Sequence, residues 1–201
     1  MNQREILEIF QRYGALLSGH FRLSSGLHSA KYLQCALVLQ YPNLAEQLCG
    51  ELASKFKLGG SKINAVVSPA IGGIIVGHEV AKVLGCRALF CEREEGKMKL
   101  RRGFEIGRGE RVLIVEDVVT TGGSVKEIVE IVKGMGGEVE GIGVIVDRSK
   151  PSFSDELATL NLPLKSLLRI NIETYSPRDC PICKQGIPLE KPGSRQVNYE
   201  L

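Results

Sequence analysis

The chain has 201 residues, of which 43% are hydrophobic and 24% charged, and this composition excludes disordered, collagen-like and coiled-coil proteins. With 26 basic and 23 acidic side chains, the net charge is only +3, too small to argue for a nucleic-acid or membrane partner. The length suits one domain over residues 1–201.

Nothing in the sequence predicts membrane insertion or export. The longest apolar stretch, residues 63–77, is interrupted by Asn64, Ser68 and Pro69 and falls short of the roughly 18 apolar residues of a membrane span. The N-terminus lacks the basic-then-apolar pattern of a signal peptide, so we expect a cytoplasmic protein. Aromatic residues make up 5% of the chain, too few for a surface that stacks nucleic-acid bases.

Two amphipathic helices are predicted in the first third of the chain. Residues 3–13 place Ile6 and Phe10 on one helical face, and residues 43–56 do the same with Leu44 and Leu48. The polar stretch between them, residues 18–32, contains glycine and serine and has no clear period.

From residue 63 onward, short apolar runs alternate with amphipathic helices, which indicates a parallel sheet flanked by helices on both faces. The last 25 residues contain four of the eight prolines, and we interpret them as an irregular tail packed on the domain. The predicted strands are 63–67, 88–91, 112–115 and 142–146, and the predicted helices are 72–84, closed by Gly85, and 124–135.

The strand at 112–115 leads into the most informative motif. Glu116 and Asp117 follow it directly, and residues 120–124 form a Thr-Thr-Gly-Gly-Ser turn that opens a helix. Backbone N–H groups at such a turn bind phosphate. Carboxylates would repel that phosphate, so they must face hydroxyls, a metal ion or a developing cation. A ribose phosphate satisfies all of these requirements.

Two further segments after strands suit a diphosphate. Residues 68–73 form a glycine-bearing turn at a helix N-terminus, where bare backbone can bind an anion. Residues 93–108 contain six basic and three acidic side chains, a balance of +3 that equals the net charge of the whole chain. We interpret this segment as a flexible basic loop that closes over a leaving diphosphate, against the alternative of a solvated charged loop.

Arg148, which follows Asp147 at the end of the strand 142–146, is a candidate for gripping a planar carboxylate, against the alternative of a structural ion pair. His20, His28 and His78 have no metal-binding spacing. Cys180 and Cys183 form a single C-x-x-C pair. We interpret this pair as structural or incidental, with half a zinc site or a redox pair as less favoured alternatives, and the other four cysteines as buried thiols.

The segment 112–124 resembles the phosphoribosyl-diphosphate signature of the type I phosphoribosyltransferases, and nearly the whole chain is similar to the orotate phosphoribosyltransferase family within them. The resemblance implies a small N-terminal hood (1–60), an α/β core (61–150), a C-terminal extension (151–201) and a mobile basic loop. It also implies Mg²⁺ held mainly by substrate, with Asp117 as the candidate protein ligand. The implied assembly is a homodimer whose loop reaches the neighbouring site. The segments that carry the resemblance are 19–29, 69–73, 93–99, 116–124, 147–148 and 180–195.

The implied reaction converts orotate and 5-phosphoribosyl 1-diphosphate into orotidine 5′-monophosphate and diphosphate, in the de novo synthesis of UMP. The implied catalytic residues are Lys97, Asp117 and Glu116, and the implied orotate contacts are Thr120 and Arg148. The implied phosphoribosyl-diphosphate contacts are Ala70, Ile71, Gly72, Arg93, Lys97, Lys99, Glu116, Asp117, Val118, Val119, Thr120, Thr121, Gly122, Gly123 and Ser124.

The chain departs from the pattern of some family members, which carry a basic residue in place of Glu94, a Lys in place of Ser24 and a His in place of Lys99. Two alternative functions remain. A purine phosphoribosyltransferase would need an aromatic platform after Asp147, where this chain has the polar, cationic residues 148–150. A non-catalytic sensor of phosphoribosyl diphosphate would need a nucleic-acid-binding appendage, for which 201 residues leave no room.

Overall fold

The computed structural model describes residues 1–23, 25–57 and 62–192, so Ser24 and the end of the predicted tail lie outside the described residues. The helices are α1 (Gln3–Arg12), α2 (Ala36–Leu39), α3 (Pro42–Lys57), α4 (Gly73–Leu84), α5 (Gly123–Gly134), α6 (Pro151–Thr159) and α7 (Pro181–Lys184). The strands are β1 (Leu16–Arg22), β2 (His28–Leu33), β3 (Ala65–Pro69), β4 (Arg87–Glu94), β5 (Lys97–Leu100), β6 (Arg111–Val119), β7 (Glu138–Asp147) and β8 (Leu164–Arg169).

Six strands form the central sheet in the order β5-β4-β3-β6-β7-β8. Five of them run parallel, as predicted, but β5 pairs antiparallel with β4 at one edge, so the sheet is mixed. Each parallel pair that is consecutive in the chain is joined through a helix, the connection that parallel strands require. This topology places the carboxyl ends of the parallel strands β3, β6 and β7 at the same end of the sheet.

Alternation along the strands divides the apolar core between the two faces of the sheet. On β6, Leu113 and Val115 face the layer formed by α1 to α4, whereas Val112 and Ile114 face α5 and α6. Side chains on both faces of β6 are buried over residues 112–115, so each of these positions is apolar, which explains the uninterrupted apolar run in the sequence. The helix predicted at 72–84 ends as expected, with Gly85 in the left-handed conformation at φ 67°.

A separate two-stranded hairpin, β1–β2, lies in the segment expected to form the hood. Its sequence shows no clear hydrophobic periodicity. Its register shifts between Ser18 and Phe21, and this bulge breaks the alternation that would have revealed the strands. The predicted tail packs on this hairpin through Glu190, which accepts a hydrogen bond from the Arg22 backbone, but it is not wholly irregular, because it contains α7. Just before the tail, Tyr175 exchanges two backbone bonds with His28.

None of the helices in the described part of the chain combines the length and the apolar character needed to cross a bilayer.

Candidate active site

Strand β6 carries Glu116 and Asp117 out of the core, and both side chains remain half-buried. Burial raises the pKa of Glu116 to about 8, with the neighbouring Asp117 adding to the shift and Arg93 opposing it. Burial also raises the pKa of Asp117, although backbone N–H groups of Val118 and of Asp117 itself oppose that rise. Two adjacent carboxyl groups are thus held in a setting that favours a cation or a hydroxyl donor beside them.

The turn after β6 leads into helix α5 through Gly122. This residue has φ 73°, and a Cβ there would overlap the ring of Phe153, so only glycine fits. Thr120, Thr121 and Gly123 are exposed around it, which leaves the backbone at the first turn of α5 open to a ligand. The geometry is that of an anion-binding helix N-terminus.

The turn after β3 meets β6 at a close contact. A Cβ placed on Gly72 would lie 2.7 Å from Asp117 Oδ2, so the backbone of Gly72 passes directly beside this carboxylate. The peptide bond between Ala70 and Ile71 is cis, and the Ile71 side chain is 79% exposed. The turns at 70–72 and 116–124, predicted separately from the sequence, therefore border one site.

Arg148 lies at the end of β7, where its backbone N–H donates to Val119 O over 2.9 Å. The side chain is half-buried, and its Nε has no hydrogen-bond partner among the described residues. Burial lowers the pKa of this guanidinium, and Tyr32 and Cys35 oppose that shift. Its neighbour Asp147 is buried and accepts hydrogen bonds from the Ser149 backbone and hydroxyl, a structural role that fixes the chain beside Arg148.

The hood contributes two residues that the sequence did not single out. Tyr32 is close enough to Asp117 and Arg148 for both to affect its pKa, which burial raises. Cys35 Sγ lies 3.8 Å from the carbonyl oxygen of Asp117. No periodic or motif signal in 18–35 marks these residues, because they reach the site only through the fold of the hairpin.

The basic segment after β4 differs from the prediction. Residues 97–100 were expected in a flexible loop but form β5, joined to β4 by a two-residue turn at Glu95 and Gly96 with φ 51° and 81°. Arg93 donates to Glu127 Oε1 over 2.7 Å and to Gly96 O, and the Met98 backbone N–H donates to Glu127 Oε2 over 3.0 Å. Glu127 therefore fastens the hairpin to α5.

Most of the basic side chains in this hairpin are paired. Lys99 Nζ lies 2.5 Å from Glu94, and Arg101 and Arg102 pair with Glu92. Lys97 is exposed and makes no ion pair within the described ranges. The fold thus brings together the predicted residues on β3, β6 and β7, and leaves Lys97 and Lys99 on the edge strand.

Four residues that sequence spacing did not connect come together in the fold. His20 and His28 have no metal-binding spacing in the sequence, and Cys180 and Cys183 were interpreted as a structural or incidental pair. The fold instead gathers all four donor atoms within 4.8 Å of one another. The histidines lie on the hood and the cysteines in the tail, so sequence spacing could not reveal the cluster.

Comparison with known proteins relates the chain to phosphoribosyltransferases. A model for the phosphoribosyl transferase domain matches residues 38–159. The orotate phosphoribosyltransferase of Desulforamulus reducens is 55% identical over 197 residues, which cover 98% of this chain and 100% of that protein. The orotate phosphoribosyltransferase of Caldanaerobacter subterraneus subsp. tengcongensis is 56% identical with the same coverage.

Solved structures agree on the fold. The crystal structure of orotate phosphoribosyltransferase from Aeropyrum pernix superposes with a TM-score of 0.69 at 26% identity, covering 82% of this chain and 93% of that one. Adenine phosphoribosyltransferase from Thermoanaerobacter pseudethanolicus superposes with a TM-score of 0.58 at 21% identity, covering 70% and 88%. The fold alone therefore does not distinguish a pyrimidine from a purine substrate.

Proposed function

The chain belongs to the orotate phosphoribosyltransferase family, and from that premise we propose how its residues carry out the reaction. The enzyme transfers the phosphoribosyl group of 5-phosphoribosyl 1-diphosphate to orotate, giving orotidine 5′-monophosphate and diphosphate, in de novo pyrimidine synthesis. The identity of 55% to an orotate phosphoribosyltransferase over the full length supports this function. It favours this function over the two alternatives, a purine phosphoribosyltransferase and a non-catalytic regulator. In the reaction, a ring nitrogen of orotate replaces diphosphate at C1 of the ribose.

The 5′-phosphate binds at the turn formed by residues 120–124. Support comes from the exposed first turn of α5 and from the left-handed Gly122, which keeps backbone N–H groups free of side-chain cover. Partial positive charge at a helix N-terminus favours a phosphate there. Val118 and Val119 are the last residues of β6, and they position the turn that begins at the carboxyl end of this strand.

Glu116 and Asp117 hold the ribose hydroxyls and stabilise positive charge that develops on the sugar as the bond to diphosphate breaks. The raised pKa of Glu116, about 8, means that a protein without substrate keeps this carboxyl largely protonated at neutral pH. A developing cation beside it favours the ionised form, so the electrostatic stabilisation grows towards the transition state.

The diphosphate of the substrate lies along the turn at Ala70, Ile71 and Gly72. Gly72 supports this placement, because its bare backbone borders the Asp117 carboxylate and leaves room that a side chain would fill. Arg93 and Lys99 are candidate diphosphate ligands, but both are paired with glutamates here and must exchange those partners to bind it.

Orotate binds through Arg148 and Thr120. Arg148 is half-buried at the end of β7, and its Nε has no partner in the part of the chain that the structure describes, so the guanidinium suits bidentate binding of a carboxylate. Uracil lacks this carboxylate, so the contact with Arg148 makes the site selective for orotate over uracil.

Lys97 neutralises the leaving diphosphate, and it does so in the site of the neighbouring subunit of a homodimer. Lys97 lies on β5, which is three strand spacings, roughly 14 Å, from β6. Its side chain is exposed and makes no ion pair within the described ranges, as expected for a cation that acts on a separate molecule.

Mg²⁺ fits the donor set. Asp117 and Glu116 offer carboxylate oxygens, which Mg²⁺ prefers, and it commonly uses one or two carboxylates together with substrate phosphates. Mg²⁺ bound with the substrate would neutralise charge on the diphosphate, with Asp117 as the protein residue that would hold it.

A diphosphate-release assay with four bases tests the assignment. Orotate should support release, while uracil, hypoxanthine and adenine should give only background. The comparison of orotate with uracil is the matched control, since the two differ by the carboxylate. Faster release with hypoxanthine or adenine than with orotate would overturn the assignment in favour of a purine enzyme.

A further inference from the structure

The hood and the tail meet at four side chains that play no part in the reaction. His20 and His28 lie on β1 and β2, Cys180 directly precedes α7, and Cys183 lies within that helix. His20, His28 and Cys180 are buried, while Cys183 is exposed. One donor atom from each lies within 4.8 Å of the others, although the cysteines are separated from His20 by 160 and 163 residues in sequence.

The distances between these donors match a tetrahedral site. Zn–S bonds of about 2.3 Å and Zn–N bonds of about 2.05 Å at tetrahedral angles place sulfur and nitrogen about 3.5 Å apart and two nitrogens about 3.3 Å apart. Sγ of Cys180 and Cys183 lie 3.5 and 3.6 Å from His20 Nε2. Cys183 Sγ lies 3.3 Å from His28 Nδ1, and the two imidazole nitrogens are 3.1 Å apart.

The surroundings of His20 also suit a ligand. Its Nδ1 lies 2.8 Å from the carbonyl oxygen of Ile187, and because a carbonyl only accepts, Nδ1 carries the hydrogen. In the neutral ring, Nε2 then presents its lone pair towards the two sulfurs. A metal-bound histidine typically donates its other ring N–H to a carbonyl or carboxylate in this way.

We propose that His20, His28, Cys180 and Cys183 bind a structural Zn²⁺ ion. Two thiolates and two imidazoles are a donor set typical of zinc, and two thiolate charges balance the 2+ charge in a mostly buried setting. All four positions come from the protein, which leaves none open for a substrate, so the ion is structural. It is separate from the Mg²⁺ that accompanies the substrate, because its soft sulfur donors do not suit Mg²⁺.

The zinc site fastens the hood to the tail. Hydrogen bonds also link the hairpin to residues 171–192. Backbone groups of Tyr175 and Glu190 bond to those of His28, Arg22 and His20, and the carbonyl oxygens of Glu173 and Ile187 lie within hydrogen-bond distance of Ser29 Oγ and His20 Nδ1. The same hairpin carries Tyr32, whose pKa is affected by Asp117 and Arg148 of the candidate active site. Zinc thus helps to hold in place the strand that carries Tyr32.

Metal analysis tests the proposal without relying on activity. The protein is purified from zinc-supplemented cells under reducing conditions, without chelator or metal-affinity resin. Inductively coupled plasma mass spectrometry should then find one zinc ion per protomer. Cys183→Ser should lose most of that zinc. Cys86→Ser is the matched control, because Cys86 is a half-buried thiol outside the cluster and its loss should leave the zinc content unchanged.

A second measurement covers the case in which Cys183→Ser fails to fold. Titrating folded wild-type protein with a thiol-specific mercurial should release zinc in proportion to the thiols modified, as followed with a chromogenic chelator. Removing the zinc should lower the melting temperature by at least ~5 °C. Protein reconstituted with Co²⁺ should show the visible bands of a tetrahedral thiolate site.

Three outcomes would overturn the proposal. Wild-type protein could contain no stoichiometric metal, or contain iron in place of zinc. Intact mass could show Cys180 and Cys183 joined in a disulfide under the same reducing conditions. Each of these results leaves the transferase assignment standing, because the base-dependence assay reads a different site.

Discussion

The backbone of Gly72 lies directly against the carboxylate of Asp117, so that a single methyl group on Gly72 would lie 2.7 Å from Oδ2 and 2.8 Å from Oδ1. Gly72 belongs to the turn after β3, and Asp117 to the end of β6, two strands that are neighbours in the sheet. The contact joins the diphosphate turn to the ribose-binding carboxylates. The position of either one therefore depends on the other.

Gly72→Ala should displace the Asp117 carboxylate and lower kcat/KM by about 10²-fold, since misplacing a reacting group by about 1 Å has effects of that size. Steady-state kinetics with both substrates measure the loss. Gly50→Ala is the control, because a Cβ on Gly50 in α3 meets no atom of the described residues within 4 Å. The control should keep its activity, and a fully active Gly72→Ala would show that the close contact is irrelevant to catalysis.

Glu116→Gln should make the ligand-free protein more stable at pH 8 than the wild type, with little difference at pH 4.5. The pKa of Glu116 is about 8 in the folded protein and 4.5 as its ordinary value, so the wild type loses stability as pH rises between these values, by up to about 1.4 kcal/mol per pH unit. Urea unfolding across pH 5 to 8 measures the difference. Glu130→Gln, at an exposed position on α5, should follow the wild-type curve.

Glu127→Ala should loosen the β4–β5 hairpin, because Glu127 accepts from both Arg93 and the Met98 backbone. The ion pair is about 40% exposed, so we expect only a threefold to tenfold faster amide exchange over residues 94–99. Glu130→Ala on the same helix is the control. Unchanged exchange in Glu127→Ala would mean that strand pairing alone holds the hairpin.

Arg148→Ala should raise the KM for orotate by about 10- to 100-fold while changing the KM for phosphoribosyl diphosphate little, because a charge-assisted contact to one substrate is lost. Arg148→Lys should restore little of it, since an ammonium lacks the planar fork. Equal effects on both substrates would assign Arg148 a structural role.

Mixing two inactive variants tests the shared site. Lys97→Ala should lose about 10²–10³-fold in kcat, as for removal of one preorganised donor, and Asp117→Asn should also be nearly inactive. After unfolding together and refolding, half of the dimers are mixed, and each has one intact site if Lys97 serves its neighbour. About a quarter of wild-type activity should then return.

The control for this experiment is native mass spectrometry, which must show that mixed dimers have formed. If Lys97 instead serves its own chain, every site keeps one mutation and no activity returns. That result would place the action of Lys97 within one subunit and leave the reaction itself unchanged.

Strands with a buried, unbroken apolar run were predictable from the sequence, and so was the turn after β6. The β4–β5 hairpin was not, because its two-residue turn needs positive φ at both positions and uses Glu95 where Asn, Asp or Gly are usual. The strand β5 is only four residues long and lies in a segment rich in basic residues, so the composition of that segment indicated a loop. The ion pairs of Arg93 with Glu127, Lys99 with Glu94 and Arg102 with Glu92 depend on tertiary structure.

The hood shows a second limit of sequence reasoning. Tyr32 reaches the active site, and His20 reaches Cys180, only because β1 and β2 fold back against parts of the chain that lie far away in sequence. Local periodicity carries no information about such contacts. Glu116 and Gly122 were identifiable because they lie within one contiguous strand–turn–helix segment, whose order of residues forms a sequence motif.

The links between the hood and the tail have a consequence during synthesis on the ribosome. The hairpin β1–β2 is translated within the first 33 residues, yet the backbone groups of the C-terminal segment that bond to it belong to Glu173, Tyr175, Ile187 and Glu190. A two-stranded hairpin by itself is marginally stable in water. The strands of the α/β sheet are therefore synthesised before the hood gains its last partners, and a chain truncated before residue 175 would lack the backbone groups of Tyr175 and Glu190 that bond to the hairpin.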